Sequence, residues 1–96
     1  DPIIAAEGAN ILYTDVWSSM GEEKKQVEKD MNFAGFTINE DLVSKAKRDV
    51  IILHCLPAYR GKEITNEVFE SKRSRIFEQA ENRMHVQQAL LSCLLY

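Results

Sequence analysis

The sequence lacks several features that would assign it to a specialised class of protein. It has only two cysteines, Cys55 and Cys93, so it contains no disulfide framework, and a reducing compartment is expected. Its 12 basic residues against 15 acidic ones give a net charge of -3, which excludes a basic surface for nucleic acid or anionic membranes. No apolar run approaches the roughly 18 residues of a membrane-spanning helix.

The size and composition are those of one small globular domain. The chain has 96 residues, of which 45% are hydrophobic and 28% are charged. A chain of this length buries a modest core and is marginally stable alone. It begins at Asp1-Pro2 without an initiator methionine or a signal-like segment, so we expect it to start inside a longer polypeptide.

The pattern of apolar and capping residues predicts alternating helices and strands. Helices are expected over residues 2–9, 22–31, 40–46, 66–70 and 81–95. Strands are expected over residues 10–14 and 50–53, with further short strands at 36–38 and 75–77. The continuous apolarity of residues 50–53 indicates burial on both faces, which is typical of a parallel sheet. The predicted class is therefore α/β, part of a doubly wound, mostly parallel sheet flanked by helices.

A first loop, residues 15–21, follows a predicted strand at the edge of the sheet where ligands bind in such folds. Asp15 in this loop is able to bind an ammonium group by a charge-assisted hydrogen bond. Gly21 precedes a charged helix and allows the loop to bend. The residues alone leave a simpler alternative open, in which Asp15 caps a turn and Trp17 belongs to the core.

A second loop after the other clear strand reads His54-Cys55-Leu56-Pro57. Cys55 is a candidate nucleophile, metal ligand or polar contact, and the alternative is a buried structural thiol. His54 and Cys55 are neighbours on a strand and point to opposite faces, which argues against a metal site or a catalytic dyad made by both. No third or fourth residue has metal-ligand spacing. Arg83 is able to reach a carbonyl or phosphate oxygen, but a solvated surface arginine is the commoner case.

Three motifs in the chain resemble the ornithine carbamoyltransferase family, in the same order and at family-like spacing. They are Thr14-Asp15-Val16-Trp17-Ser18-Ser19-Met20-Gly21, His54-Cys55-Leu56-Pro57-Ala58-Tyr59-Arg60-Gly61 and Glu78-Gln79-Ala80-Glu81-Asn82-Arg83. The resemblance covers essentially the whole chain. It implies the second domain of the aspartate and ornithine carbamoyltransferase fold. Residues 1–96 would form the C-terminal part of the ornithine-binding domain, with the last helix packing back toward a carbamoyl-phosphate domain.

The resemblance implies a reaction and its partners. The carbamoyl group of carbamoyl phosphate would pass to the δ-amine of L-ornithine, giving L-citrulline and phosphate. The family uses no metal or organic cofactor and forms homotrimers with active sites at subunit interfaces. A cytoplasmic location is expected, with the mitochondrial matrix as the alternative, and no nucleic acid or membrane partner is expected.

The first motif is expected to bind ornithine. By the resemblance, Asp15 and Ser19 would hold its α-amino group, and the backbone of Met20 would help to hold its carboxylate. The intact segment favours free ornithine, because relatives that use aspartate, acylated ornithine or putrescine lack this Ser-Met-Gly loop. Ser18 stands where many members carry Val or Ile, at a position without an assigned substrate contact.

The second and third motifs are expected to act on the carbamoyl group. By the resemblance, Cys55 would lie beside the δ-amine and the carbamoyl group, and the Leu56 carbonyl would accept from the carbamoyl NH2 across a cis bond to Pro57. Arg83 would polarise the carbamoyl oxygen. Tyr59 stands where many members carry His, again without a substrate contact.

The family's carbamoyl-phosphate motif, Ser-x-Arg-Thr-Arg, does not occur in these 96 residues, and neither does its His-Pro-x-Gln segment. The isolated chain is therefore expected to be inactive. Two alternatives to a working ornithine enzyme remain. One is a non-catalytic ornithine-binding paralogue, and the other is a carbamoyltransferase for a related amine. An interaction domain whose last helix docks on partners is a further hypothesis.

Overall fold

The computed structural model describes residues 1–19 and 21–96. Its elements, in chain order, are helix α1 (Pro2–Ala6), strand β1 (Ile11–Thr14), a 3-10 turn (Glu23–Lys25) that runs into helix α2 (Gln26–Asn32), helix α3 (Glu40–Lys45), strand β2 (Ile51–His54), helix α4 (Asn66–Phe69) and helix α5 (Ile76–Leu95). The predicted α/β class is confirmed, since the two strands form a parallel sheet flanked by helices.

Polar side chains begin three of the helices, as the sequence predicts. The Asp1 carboxylate accepts from the Ile3 N–H at 2.8 Å, and the Asn39 side-chain oxygen accepts from the Leu42 N–H at 2.8 Å. The Thr65 hydroxyl caps α4 in the same way. Each cap satisfies a main-chain donor that has no partner within its own helix. Helix α1 is shorter than predicted and ends at Ala6 instead of residue 9.

The core lies on one face of the sheet. Strands β1 and β2 run in register, with Ile11 opposite Ile51. Ile52, Ile64 and Ile76 are each 0% exposed. The other buried members of this core are Ala6, Ile38, Leu42, Val68 and Phe69. Truncating a fully buried isoleucine to alanine typically costs about 2–5 kcal/mol, so these side chains account for much of the stability of the chain.

The opposite face of the sheet is only partly covered within this chain. Ile11 and Tyr13 are exposed, whereas Ile51 and Leu53 are half-buried because α5 packs against β2. Side chains alternate across a strand, so these four share one face. The burial expected for residues 50–53 on both faces is therefore complete on the core face and partial on the other.

The predicted edge strand over residues 75–77 is wrong. The neighbouring Ser74 forms an isolated bridge to Ile52, and helix α5 begins at Ile76. The Ile76 side chain enters the core at the first helical turn, so the helix starts well before the predicted Glu81. The expected strand at residues 36–38 is likewise reduced to a single bridge between Ile38 and Ile64.

From its middle to its end, α5 carries exposed apolar side chains, among them Met84, Leu90, Leu91, Leu94 and Leu95. The predicted apolar side of this helix is therefore more than half exposed, since Met84, Leu91 and Leu95 are 60%, 57% and 74% exposed. Within residues 1–19 and 21–96, no helix combines the length and the apolarity that crossing a bilayer requires.

Candidate active site

The register of the sheet brings Asp15 and Cys55 together. Thr14 and His54 are opposite each other as the last residues of β1 and β2. The residue that follows each of them lies just beyond the carboxyl edge of the sheet, and the Cys55 thiol donates a hydrogen bond to Asp15 Oδ1 at 2.9 Å. Sequence reasoning predicted both residues at this edge, but it did not predict the contact between them.

The contact shifts the pKa values of both groups. The hydrogen bond from Cys55, helped by the Val16 N–H, lowers the pKa of the Asp15 carboxyl despite some burial. Burial, and then the hydrogen bond and charge of Asp15, raise the pKa of the Cys55 thiol to about 11. At neutral pH the pair is therefore a carboxylate and a neutral thiol. Because the thiolate is the nucleophilic form, this state favours a polar contact for Cys55 over a covalent nucleophile.

His54 points away from Cys55, as predicted, and lies in the core. Its Nδ1 accepts from the Leu56 N–H at 2.8 Å, so the ring proton is on Nε2. Nε2 faces Glu63 Oε1 at 2.7 Å, and the two side chains are almost fully buried. The pair is thus a buried hydrogen-bonded unit beneath the second loop.

Glu63 closes the second loop, and sequence reasoning missed it. Its Oε1 also accepts from the Tyr59 N–H at 2.7 Å, so one oxygen binds both His54, where the loop begins, and Tyr59 in its middle. Between these two bonds Leu56 adopts a positive φ of 59°, and the Leu56–Pro57 bond is cis, as predicted. Glu63 stands in a polar stretch of sequence, where nothing but the fold indicates its burial.

Arg83 lies on α5 and faces the same cavity as Cys55. The same cavity is also lined by Ala80, Met84 and Leu91. The Arg83 charge acts against the other influences on Cys55 and lowers its pKa, as a nearby cation does. Arg83 is exposed, as the solvated alternative predicts, and it lines the same cavity as Cys55.

The far end of the first loop is held by exposed groups. The Ser19 N–H donates to Glu22 Oε2 at 3.3 Å, and the Glu22 carboxylate pairs with Lys29. The hydrogen bond from Lys29 is the main reason that the pKa of Glu22 is lowered. Gly21 has a φ of 90°, a conformation that favours glycine. Met20, the predicted carboxylate contact, lies outside the described residues.

Trp17 does not belong to the main core. Its ring stacks on Phe33 with centroids 6.1 Å apart, and Phe36 meets Phe33 edge-on at the same separation. Trp17 is half-buried there. The alternative that made it a core residue is thus replaced by a small aromatic cluster beside the first loop.

Known proteins match the chain over nearly its whole length. Residues 1–94 match the family described as aspartate/ornithine carbamoyltransferase, Asp/Orn binding domain. The ornithine carbamoyltransferase of Prochlorococcus marinus subsp. pastoris is 76% identical over 96 residues, which are 100% of this chain and 31% of that protein.

Two solved structures show the same fold. The anabolic ornithine carbamoyltransferase from Campylobacter jejuni superposes with a TM-score of 0.90 at 47% identity, over 98% of this chain and 31% of that chain. The ornithine carbamoyltransferase from Pyrococcus furiosus superposes with a TM-score of 0.88 at 48% identity, over 96% of this chain and 29% of that chain.

The chain spans 31% of the length of the Prochlorococcus relative, so it corresponds to one segment of those longer proteins. The matched segment contains both loops and the last helix, which is where the structure places the Asp15–Cys55 pair and Arg83. The chain therefore belongs to the aspartate/ornithine carbamoyltransferase family, in the segment that forms the Asp/Orn-binding domain.

Proposed function

We propose that this chain is the C-terminal part of the ornithine-binding domain of an ornithine carbamoyltransferase. The complete protein would transfer the carbamoyl group of carbamoyl phosphate to the δ-amine of L-ornithine, giving L-citrulline and phosphate for arginine biosynthesis or the urea cycle. The observation that carries the proposal is the 2.9 Å hydrogen bond between Cys55 and Asp15, next to a cavity that Cys55 and Arg83 line together.

The state of the Asp15–Cys55 pair suits an amine nucleophile. The α-ammonium group of ornithine must stay charged, and the Asp15 carboxylate favours the charged form of a group that it binds. Ser19 and the Met20 backbone would complete the binding site for the α-amino and carboxylate groups of ornithine. The reacting δ-amine must be neutral, and the uncharged Cys55 thiol adds no negative charge that would favour its protonated form. The thiol uses its hydrogen to donate to Asp15, so the sulfur lone pairs are able to accept a weak hydrogen bond from the amine.

The reaction requires a donor at the carbonyl oxygen. The amine nitrogen forms a bond to the carbonyl carbon, the bond from that carbon to the phosphate oxygen breaks, and the proton lost by the amine passes to the leaving phosphate. Negative charge develops on the carbonyl oxygen at the tetrahedral stage, where the Arg83 guanidinium would stabilise it. The Leu56 carbonyl would accept from the carbamoyl NH2 and hold the group in line for attack, which is itself worth several kcal/mol.

The test is carbamoyl transfer by the full-length protein that contains this chain. Purified protein is given carbamoyl phosphate with ornithine, N-acetylornithine, putrescine or aspartate, and each carbamoylated product is measured. We expect ornithine to have the highest kcat/KM. A preference for another amine would support the alternative of a related carbamoyltransferase. Ornithine binding without turnover would support the non-catalytic paralogue.

Cys55→Ala in the same protein separates a substrate contact from a structural thiol. We expect kcat to fall by about 100-fold, in the range of general catalytic contacts. Cys93→Ala is the matched control, because Cys93 is an exposed thiol on α5, and its kcat should stay at the wild-type level. Retained turnover in Cys55→Ala would make Cys55 a structural residue.

The 96 residues are also proposed to depend on the rest of the protein. We expect no citrulline from the isolated chain, because it has no carbamoyl-phosphate motif. Detectable citrulline from the purified 96-residue peptide would contradict this expectation. A homotrimer in the cytoplasm, with the exposed apolar side chains of α5 packed toward the carbamoyl-phosphate domain, completes the proposal. Sedimentation of the full-length protein tests the assembly.

A further inference from the structure

The side-chain amide of Gln79 joins the last helix to both strands. Its Oε1 accepts from the His54 main-chain N–H at 3.0 Å, and its Nε2 donates to the Tyr13 hydroxyl at 3.0 Å. Gln79 is half-buried and belongs to the third motif, but the resemblance assigns it no role. A single side chain thus contacts the carboxyl ends of β1 and β2 at once.

The outer edge of β2, away from β1, explains why the His54 N–H needs this acceptor. Ile51 donates its N–H to Asn10 on the β1 side, whereas Ile52 donates to Arg73 on the outer side. Successive N–H groups of a strand point to opposite edges, so the His54 N–H points outward like that of Ile52. The Gln79 oxygen takes the place that a carbonyl of a further strand would occupy. A main-chain donor this close to the core requires such a partner.

The hydrogen bond of Gln79 affects the position of Arg83 through the geometry of the helix. Residues four apart lie one turn apart on the same face of a helix, so the bond that holds Gln79 against β2 also orients the face that carries Arg83. On the strand, Cys55 follows His54 directly, so the amide of Gln79 ties together the two segments that carry the cavity residues. The main-chain bond from Arg75 to Ile52 anchors only the start of the helix.

We propose that Gln79 is a positioning residue that holds Arg83 in place beside Cys55 for carbamoyl transfer. It acts through the helix and touches neither ornithine nor carbamoyl phosphate. The inference rests on the proposed function, because Arg83 needs a defined position only if it acts on the carbamoyl oxygen. A displacement of about 1 Å in such a group is enough to lower a rate roughly 100-fold.

Three variants of the full-length protein test the inference. Gln79→Met keeps the length of the side chain and removes both hydrogen bonds. Gln79→Glu keeps an acceptor for the His54 N–H and allows the Tyr13 hydroxyl to donate to its second oxygen. Tyr13→Phe removes only the hydroxyl. For each variant, kcat and KM for ornithine are measured at saturating carbamoyl phosphate on the folded fraction isolated by gel filtration.

We expect Gln79→Met to lower kcat roughly 10-fold to 100-fold with an unchanged KM for ornithine, because only the position of Arg83 is altered. Gln79→Glu should stay within about 3-fold of the wild type, and Tyr13→Phe should fall between the two. In an Arg83→Ala background, Gln79→Met should have no further effect on kcat, because no guanidinium is left to position. A merely structural role would lower kcat in both backgrounds alike.

The outcomes separate this inference from the proposed function. No citrulline from the wild-type protein counts against the proposed function. An active wild type with undiminished kcat in Gln79→Met overturns the role of Gln79 alone, and so does an equal loss in the Arg83→Ala background. If Gln79→Met does not fold, Tyr13→Phe decides, since an unchanged kcat in that variant contradicts the inference.

Discussion

The two loops at the carboxyl edge of the sheet differ in how firmly the chain holds them. The loop after β2 is closed by Glu63, whose fully buried carboxylate lies at 2.7 Å from both the His54 ring nitrogen and the Tyr59 main-chain nitrogen. Among the described residues of the loop after β1, the contacts include the bond between Asp15 and Cys55, the stacking of Trp17 on Phe33 and the bond from Ser19 to Glu22. These groups are half-buried or exposed, whereas the loop after β2 is anchored by a fully buried carboxylate.

This difference indicates that the two loops are held with different rigidity. Hydrogen bonds to a buried carboxylate are strong because water does not compete with them, so the second loop presents Cys55 and Leu56 in one arrangement. Exposed ion pairs contribute little and are screened by salt, so the Glu22–Lys29 pair that binds Ser19 restrains the first loop only weakly. Under the proposed function, the firmly held loop would be the one that contacts the carbamoyl group, and the weakly restrained loop would be the one that binds ornithine.

The largest effect is expected when the buried anchor is removed. Glu63→Ala leaves the His54 ring N–H and the Tyr59 N–H without their acceptor, and each buried donor left unpaired typically costs about 1–3 kcal/mol. Glu63→Gln keeps an acceptor oxygen and should lose far less. Denaturant unfolding of the full-length protein measures both, and hydrogen exchange of the Leu56 and Tyr59 amides shows whether the loop opens. Equal stability of the two variants would contradict the anchored loop.

A second prediction concerns the thiol between the two loops. With its pKa raised to about 11, Cys55 at pH 8 should react with iodoacetamide about 100-fold more slowly than a free thiol of pKa 9.0. Burial is the largest cause of the raised pKa, and Asp15→Asn removes the Asp15 charge that adds to it, so alkylation should become faster. The rates are read by mass spectrometry in a Cys93→Ser background. A fast reaction in the unsubstituted Cys55 site would refute the neutral-thiol state.

The same shift predicts how stability depends on pH. The folded-state pKa of Cys55 lies above the value of 9.0 for an unperturbed thiol, so its contribution is complete below pH 9 and is lost as the pH rises toward 11. The contribution of Asp15 depends on pH in the opposite direction. Its pKa is lowered, so its contribution is present above its ordinary value of 3.8 and is lost on acidification.

A matched pair of glycines gives a third test. Gly21 in the first loop and Gly61 in the second have φ values of 90° and 89°, and a Cβ at either would meet no atom within 4 Å. Alanine should therefore cost about 1 kcal/mol of strain at each position. If the first loop binds ornithine as proposed, only Gly21→Ala should also raise the KM for ornithine. An equal effect of Gly61→Ala on KM would remove the distinction between the loops.

The smallest effect is expected at the surface tie of the first loop. Lys29→Ala removes the partner of the Glu22 carboxylate, whose pKa should return upward toward its ordinary value of 4.5. Because both side chains are partly exposed, the free energy of unfolding should change only slightly. The difference from the wild type should disappear in about 1 M salt, where charges are screened within roughly 3 Å. A salt-independent loss would mean that this tie is as rigid as the buried one.

Much of the local structure was predictable because it depends on neighbouring residues. Asp1, Asn39 and Thr65 cap helices as expected, since a cap needs only its own first turn. The strand at residues 75–77 was wrongly predicted because a short apolar run fits a strand and a helix equally well. The core decided between them by burying Ile76 at the start of α5.

The sequence by itself determined the class of the fold, both loops and the residue types at the strand ends, because periodicity and capping act over a few positions. The three motifs also led to the family that the comparison with known proteins confirms. Only the tertiary structure decided that Cys55 binds Asp15, that Glu63 is buried against His54 and that Gln79 bridges β1 and β2. These contacts join residues distant along the chain, and no local pattern records a contact that the sheet register and the packing of a helix create.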